Sequence, residues 1–514
     1  MPRESTLSYK KKNGQIKPDF DLLAGNSEKN SNLRSSTFRG GIVTVVAEAV
    51  IFILYIASIS LLSRLLVPDD FGVVAVVTAA VAIVLSIQEA GVADVIVRLP
   101  TVSREQFDKA FWFNLTLAGF LCVFVVLLAP VLGWIYKDSR ITNITLSFAG
   151  VIFLSNLPII NTALLKRRLL MGRVALIKTV SFAFAVSVAA YAAISGLSYW
   201  SLVILQLTKV GSTLLLTFFL CPVFPSSPNP SNKVKGIVKD GSYFSAGAFF
   251  ASVGRNADNL LVGFFNGNAV LGEYNRAFAL LLMPLSQLVT PVGSVAIPVL
   301  SRLAGEPERY KNAYVQITTR LLMLTTPGIA ILVVIAEPLC QVVLGPGWGQ
   351  VPVLFRWLGI AGIVQPFTIS LSWLMVSQGR AYEHFRNMLI NTILLVLLFF
   401  LSAPHGAESL AMAYGVSGIL LRSPLISWAV LRKGPVLLMD GLKVVTPGIY
   451  GAVVAASIAL ISITLFQAYG HVVNLLIAVS GSCTLTVVMY LMLPLTRNIV
   501  FLTITSSKSS GPDK

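Results

Sequence analysis

Arg255 and Asp258 lie three residues apart within Phe249 to Leu285, two apolar runs joined by the polar turn Asn266-Gly267-Asn268. That spacing puts both side chains on one helix face. The second run opens with Glu273, Tyr274 and Arg276. Lys209 sits about halfway along another apolar run, LVILQLTKVGSTLLL, too deep to snorkel easily to either surface. Glu48 is near the middle of the first run, and its spacing from Thr44 and Tyr55 aligns all three on one face. Ionisable groups are expensive in hydrocarbon, so these positions point to a polar path inside the protein. Lys and Arg suit an anionic group, phosphate above all, through charge-assisted hydrogen bonds. The candidate anion site is Arg255, Lys209 and Arg276 with Tyr274; the candidates for coupling to a proton or sodium ion are Asp258 and Glu48. Two readings of Arg255 and Asp258 stay open. They form a structural ion pair, or Asp258 tempers Arg255 in a water-filled path until an anion arrives.

The other charges within helices are closer to the ends. Lys178, Arg320 and Arg422 fall near ends assigned to the cytosol, where snorkelling accounts for them. Arg276 and Arg356 fall near outer ends and either line an outer mouth or snorkel. Glu89 and Asp94 flank Gly91 near an inner end. Deep bases outnumber deep acids, a balance that favours an anionic substrate. The four cysteines are scattered, without metal-ligand spacing, and the three histidines lie at loops or helix ends, so no cofactor or metal is expected. No Walker A, GxSxG or HExxH pattern occurs, and the outer loops are too short for an active site, so an enzyme is not expected. The energy source is then an ion gradient, the substrate's own gradient or a partner.

The elements that position these groups follow from composition. The chain of 514 residues is 55% hydrophobic and 12% charged, with a mean hydropathy of +0.79. Runs of about 20 apolar residues, each enough for a membrane-spanning helix, recur almost to the end. In lipid the backbone must satisfy itself, as helices or a closed barrel, and no alternation of period two is sustained. The expected class is an all-α polytopic membrane protein of about fourteen transmembrane helices. The net charge of +17 is read as loop charge that sets topology, and nucleic acid is excluded because the basic clusters lack interleaved aromatics. With the N-terminus in the cytosol, the outer loops hold only Arg64, Lys137 and Arg140 among Lys and Arg, and both termini are cytosolic.

The expected divisions are a disordered cytosolic tail (1–36) with no signal peptide, an N-lobe of six helices (37–222) and a cytosolic linker (223–238). A C-lobe of six helices (239–431), an extra helix pair (432–496) and a cytosolic tail (497–514) complete the chain. The stretch LLSRLLVPDDFGVVAV echoes LLVGFFNGNAVLGEYNRA, with Gly72 and Gly272 standing 200 positions apart. Six helices separate the copies, so the lobes read as a pseudo-twofold parallel repeat.

The run DNLLVGFFNGNAVLGEYNRAFALLLMPL (258–285) resembles the seventh-to-eighth helix signature of bacterial polysaccharide exporters. These are the lipid-linked oligosaccharide flippases of the multidrug/oligosaccharidyl-lipid/polysaccharide superfamily. SRLLVPDDFGVVAV, IPVLSRLAGEPERY and GPGWGQVPVLFRWL fit the same pattern, which covers most of 38 to about 430 and is most similar to colanic-acid-type exporters. The long N-terminal tail departs from the family's usual short start. The resemblance implies two six-helix bundles in a V and an inner-membrane transporter that flips an undecaprenyl-pyrophosphate-linked oligosaccharide. It implies basic cavity residues, which Arg255 and Arg276 match, and a signature acid, which Asp258 fills. Lys209 lies outside any matched motif and rests on its depth alone. The expected partners are the lipid-linked substrate, membrane lipids, a proton or sodium ion, and a polysaccharide polymerase with glycosyltransferases. The alternatives are a cation-coupled multidrug exporter of the same superfamily, or a membrane polysaccharide polymerase or ligase.

Overall fold

The structure is a computed structural model that describes residues 33–87, 96, 102–226, 235–466 and 471–492, together with 11–12 and 15–16. Most of both expected tails, the middle of the linker, and Glu89, Gly91 and Asp94 lie outside the described residues. The described residues are helical almost throughout. In the N-terminal segment Lys11–Lys12 and Gln15–Ile16 form a two-residue antiparallel pairing, too short to stand as a sheet by itself. Thirteen helices among the described residues are long and apolar enough to cross a membrane. The expected seventh span falls in one continuous helix, Lys235–Asn266, which is not among the thirteen. Arg255, Asn256, Asp258 and Asn259 dilute its apolar run.

The chain divides into two compact units: 1–66 with 76–252, and 67–75 with 253–514. In the first, α1 (Leu33–Leu65) packs along α6 (Met171–Ile194). The rest of α2 (Pro68–Leu85), α3 (Arg104–Tyr136), α4 (Ser139–Asn156), α5 (Ile159–Arg167) and α7 (Trp200–Leu220) complete the unit. α3 packs on α4, and α6 on α7. Phe107, Phe111, Ile160, Leu164 and Cys221 form its core at one end. Two of the basic residues expected in outer loops are turn-makers. Lys137 caps α3 in the left-handed conformation, and Arg140 binds Asp138, the N-cap of α4, at 2.8 Å.

The second unit holds α8 (Lys235–Asn266) from residue 253, α9 (Asn268–Arg302), α10 (Pro307–Val334), α11 (Ala336–Val343) and α12 (Val351–Ser377). It continues through α13 (Ala381–Ser402), α14 (Ala407–Ser417), a π turn at Gly418–Arg422, α15 (Ser423–Leu431), α16 (Leu438–Leu465) and α17 (His471–Met492). The final pair packs as part of this unit. α16 lies along α10, with Ala455 and Ala459 fully buried against Ile331 and Ile335. Small side chains let membrane helices approach closely where lipid offers no hydrophobic driving force. Cys221 and Cys340 are buried, in keeping with a filler role, while Cys483 is exposed.

The starts of α2 and α9 cross within this unit. A Cβ on Gly72 would overlap the carbonyl of Asn268, and one on Gly272 would overlap the carbonyl of Pro68. The contact is reciprocal: each glycine meets the residue four positions before the other. Residues related by 200 positions exchange equivalent contacts, the mark of a local pseudo-twofold.

Candidate functional site

Gly267, at φ 86°, is the single residue between α8 and α9, so the expected polar turn is a one-residue hinge. The hairpin it makes folds Tyr274 back onto Asp258. The Tyr274 hydroxyl donates to Asp258 Oδ2 at 2.9 Å, and the Asn259 amide donates to Oδ1 at 2.8 Å. Asp258 is 2% exposed and Tyr274 0%. Phe278 stacks on Tyr274, and Tyr414 packs against both Phe278 and Phe399. Tyr274, an expected member of the anion cavity, is packed in the interior as a donor to a buried acid. Asp258 forms no ion pair with Arg255, although three residues separate them; its carboxylate turns inward to Tyr274 and Asn259, while Arg255 is exposed. The structural ion-pair reading is corrected.

This geometry gives a stability prediction. Tyr274→Phe removes the hydroxyl donor and leaves a buried carboxylate short of a partner, at a cost of about 1–3 kcal/mol. Thermal unfolding of the purified protein should show a lower Tm for Tyr274→Phe than for the exposed change Tyr382→Phe. Equal Tm values would mean that Asp258 does not depend on this bond.

Arg276 lies on the same helix, with its guanidinium carbon 4.3 Å from the centre of the Phe71 ring. Phe71 in turn meets Trp348 edge-on at 5.4 Å. A guanidinium over an aromatic face is held by cation–π attraction. Glu273 accepts from the Gln350 amide at 3.2 Å, which ties the start of α9 to the start of α12.

In the first unit Glu48 meets Lys178 at 3.1 Å. Lys178, for which snorkelling is the expected account, forms an inter-helix ion pair between α1 and α6. Phe182 follows Lys178 by one helical turn, and Lys209 of α7 lies over the Phe182 ring at 5.8 Å. Three helices therefore bring Glu48, Lys178 and Lys209 to one neighbourhood, with more positive than negative charge. The sequence reading missed Lys178, Phe182 and Phe71 as partners, because their contacts join distant segments.

Lys209 and Arg255 share one further property. Each is exposed, and neither has a carboxylate within 4 Å among the described residues. Both acids singled out in helices are already engaged, Glu48 by Lys178 and Asp258 by Tyr274. No cluster of metal-binding side chains occurs among the described residues.

A helical bundle with thirteen helices among the described residues long and apolar enough to cross a membrane defines the class, a polytopic membrane protein. The chain belongs to the polysaccharide biosynthesis protein family, whose sequence pattern matches residues 61–352. Over 414 residues it is 20% identical to the lipopolysaccharide biosynthesis protein WzxC of Escherichia coli (strain K12), covering 79% of this chain and 82% of the relative. It is 22% identical over 469 residues to the succinoglycan biosynthesis transport protein ExoT of Rhizobium meliloti (strain 1021), covering 88% and 91%. Its fold is similar to the lipid II flippase MurJ in an inward closed conformation, with a TM-score of 0.62, 12% identity, and 88% of this chain and 99% of that one covered. It is also similar to an inward-facing multidrug resistance MATE family transporter, with a TM-score of 0.57, 13% identity, and 78% and 99% covered. The protein is a multi-pass membrane protein with this transporter fold.

Proposed function

We propose that this protein flips an undecaprenyl-pyrophosphate-linked oligosaccharide, the repeat unit of an exopolysaccharide or O-antigen, across the bacterial inner membrane. The observation that carries this reading is the pair of exposed cations, Lys209 and Arg255, on membrane-length helices with no carboxylate partner among the described residues. The relatives' names, with their shared assignment to polysaccharide biosynthesis, support a polysaccharide-derived substrate. Arg255 in the second unit and Lys209 in the first are each offered as a contact for the pyrophosphate, and Arg276 serves nearer the outer mouth. Sugars cross through the polar path while the polyprenyl tail stays in lipid, and the two repeats rock to expose the other side. Asp258 and Glu48 are the coupling groups for a proton or sodium ion. Both termini lie in the cytosol, where glycosyltransferases assemble the substrate, and a polymerase receives it on the outer face. The protein performs transport and no covalent chemistry.

The multidrug alternative fits the site less well. A binder of cationic drugs is better served by free acids deep in its helices, and the two acids singled out above, Glu48 and Asp258, are engaged by Lys178 and Tyr274. The test is reconstitution into vesicles with a fluorescent undecaprenyl-pyrophosphate oligosaccharide on one leaflet. The protein is expected to speed its appearance on the opposite leaflet, with no glycosyl transfer and no protection of cells against cationic drugs. Drug efflux without lipid flipping would replace this reading with the multidrug one.

A further inference from the structure

The second unit holds a cationic cavity of about 350 Å³ outside the residues described above. α13 packs on α14, but the chain beyond the π turn diverges from α13, and the cavity fills the gap beside α15. Arg386, Arg422 and Arg432 line it, with Asn387 and Asn391 on the α13 wall. None of the three guanidiniums lies within 4 Å of a carboxylate among the described residues. The acid on the same end of α13, Glu383, is held by Arg380 at 2.6 Å and Lys433 at 3.4 Å.

Two of the guanidiniums are placed by the fold. The π turn at Gly418–Arg422 adds a residue to the helical turn, a distortion often found at functional sites. It lets Arg422 reach back to donate to the Tyr414 carbonyl at 2.8 Å and to Ser417 Oγ at 3.3 Å, with its plane 4.6 Å from the Tyr414 ring. Arg432 lies over the Trp428 ring at 4.2 Å. The remaining lining is apolar, including Ile390, Leu394 and Leu425. Ile390, Leu425 and Trp428 are exposed, so the cavity opens onto an apolar surface.

Three gathered guanidiniums beside an apolar wall fit a phosphate group carried on a hydrocarbon chain. Arg is weakly hydrated and matches phosphate oxygens with paired N–H donors. Basic pockets between membrane helices are suited to anionic lipid head groups. We propose that this cavity binds a lipid-borne phosphate, with the phosphate against Arg386, Arg422 and Arg432 and the first carbons of the lipid along Ile390, Leu394 and Leu425. The proposal stands on the cavity alone and is independent of the flippase reading.

The test uses the full-length protein in detergent and native mass spectrometry with four probes at equal concentration. These are undecaprenyl pyrophosphate, phosphatidylglycerol, phosphatidylcholine and inorganic pyrophosphate. The two anionic lipids are expected to be retained over phosphatidylcholine, and their ratio tells which lipid the site prefers. In a background carrying Arg255→Ala and Lys209→Ala, which removes the contacts proposed for transport, Arg386→Gln combined with Arg432→Gln should lower retention about tenfold or more, whereas Arg356→Gln, elsewhere in the unit, should not. Arg422 is left intact because its backbone bond also holds the π turn. Unchanged retention in the double variant, or retention of inorganic pyrophosphate without either lipid, overturns the proposal. Circular dichroism of the double variant matching wild type shows that the comparison is between folded proteins.

Discussion

Arg255→Ala and Lys209→Ala should each slow flipping of the pyrophosphate-linked oligosaccharide by about 10- to 100-fold, because each removes a charged hydrogen-bond donor worth about 1.5–3 kcal/mol. Neither change should unfold the protein. Both side chains are exposed, and neither has a carboxylate partner to leave stranded among the described residues. Surface changes without such a partner usually stay within about 0.5 kcal/mol in stability. Arg255→Lys keeps the charge but loses the planar fork, so it should fall between wild type and Arg255→Ala. Arg255→Glu should be worse than Arg255→Ala, since it places a like charge against the phosphate. The measurement is the initial flipping rate in vesicles, normalised to inserted protein, with the Tm as a parallel readout. A wild-type rate for the double variant Arg255→Ala with Lys209→Ala would remove both residues from the transport path. A loss of Tm matching the loss of rate would assign them a structural role instead.

The helices were legible because hydropathy acts locally: a run of about 20 apolar residues must span or pack as a helix, whatever its neighbours. The helix that departs from this rule, Lys235–Asn266, does so where Arg255, Asp258 and two asparagines break the run. The candidate site was legible as a set of positions but not as a set of pairs. Asp258 and Tyr274 lie symmetrically about Asn266, eight residues to either side, so the turn itself brings them together. Reading Asp258 by helical spacing toward Arg255 chose the same-helix neighbour over the cross-hairpin one. Burial decided the outcome, because a buried carboxylate needs donors and a buried hydroxyl supplies one. Glu48 and Lys178 are 130 residues apart, and nothing local marks them as partners. The three arginines of the second unit's cavity show a faint trace. Arg422, Leu425, Trp428 and Arg432 recur at helical spacing on one face, but the π turn that sets Arg422 has no sequence signature beyond Gly418.

Gly72→Leu and Gly272→Leu should have the other large effect, through the crossing at which the two repeats meet. Each glycine packs against a backbone carbonyl of the opposing helix, so even a methyl group has no flexible neighbour to displace. Overpacking of this kind costs about 1–3 kcal/mol, and backbone contact puts leucine at the upper end. Under the proposed alternating access, with the orientation expected from the loop charges, this crossing lies on the outer side and parts and re-forms in each cycle. A side chain wedged between α2 and α9 penalises only the state in which they cross. A penalty of about 3 kcal/mol shifts a two-state equilibrium by roughly 100-fold, enough to hold the outer side open and stall the return step. Leu271 reports the change directly. It is fully buried beside the crossing, so Leu271→Cys, in a background lacking the four native cysteines, should react slowly with a membrane-impermeant thiol reagent. Adding Gly72→Leu should raise that labelling while flipping falls by about tenfold or more. The pseudo-twofold relation adds a sharper requirement. Because Gly72 meets Asn268 and Gly272 meets Pro68, the two substitutions act on one contact from opposite sides. Together they should cost less than the sum of their separate effects, the non-additivity expected of contacting residues. Additive effects, or normal flipping with unchanged labelling, would show that this crossing does not move during transport.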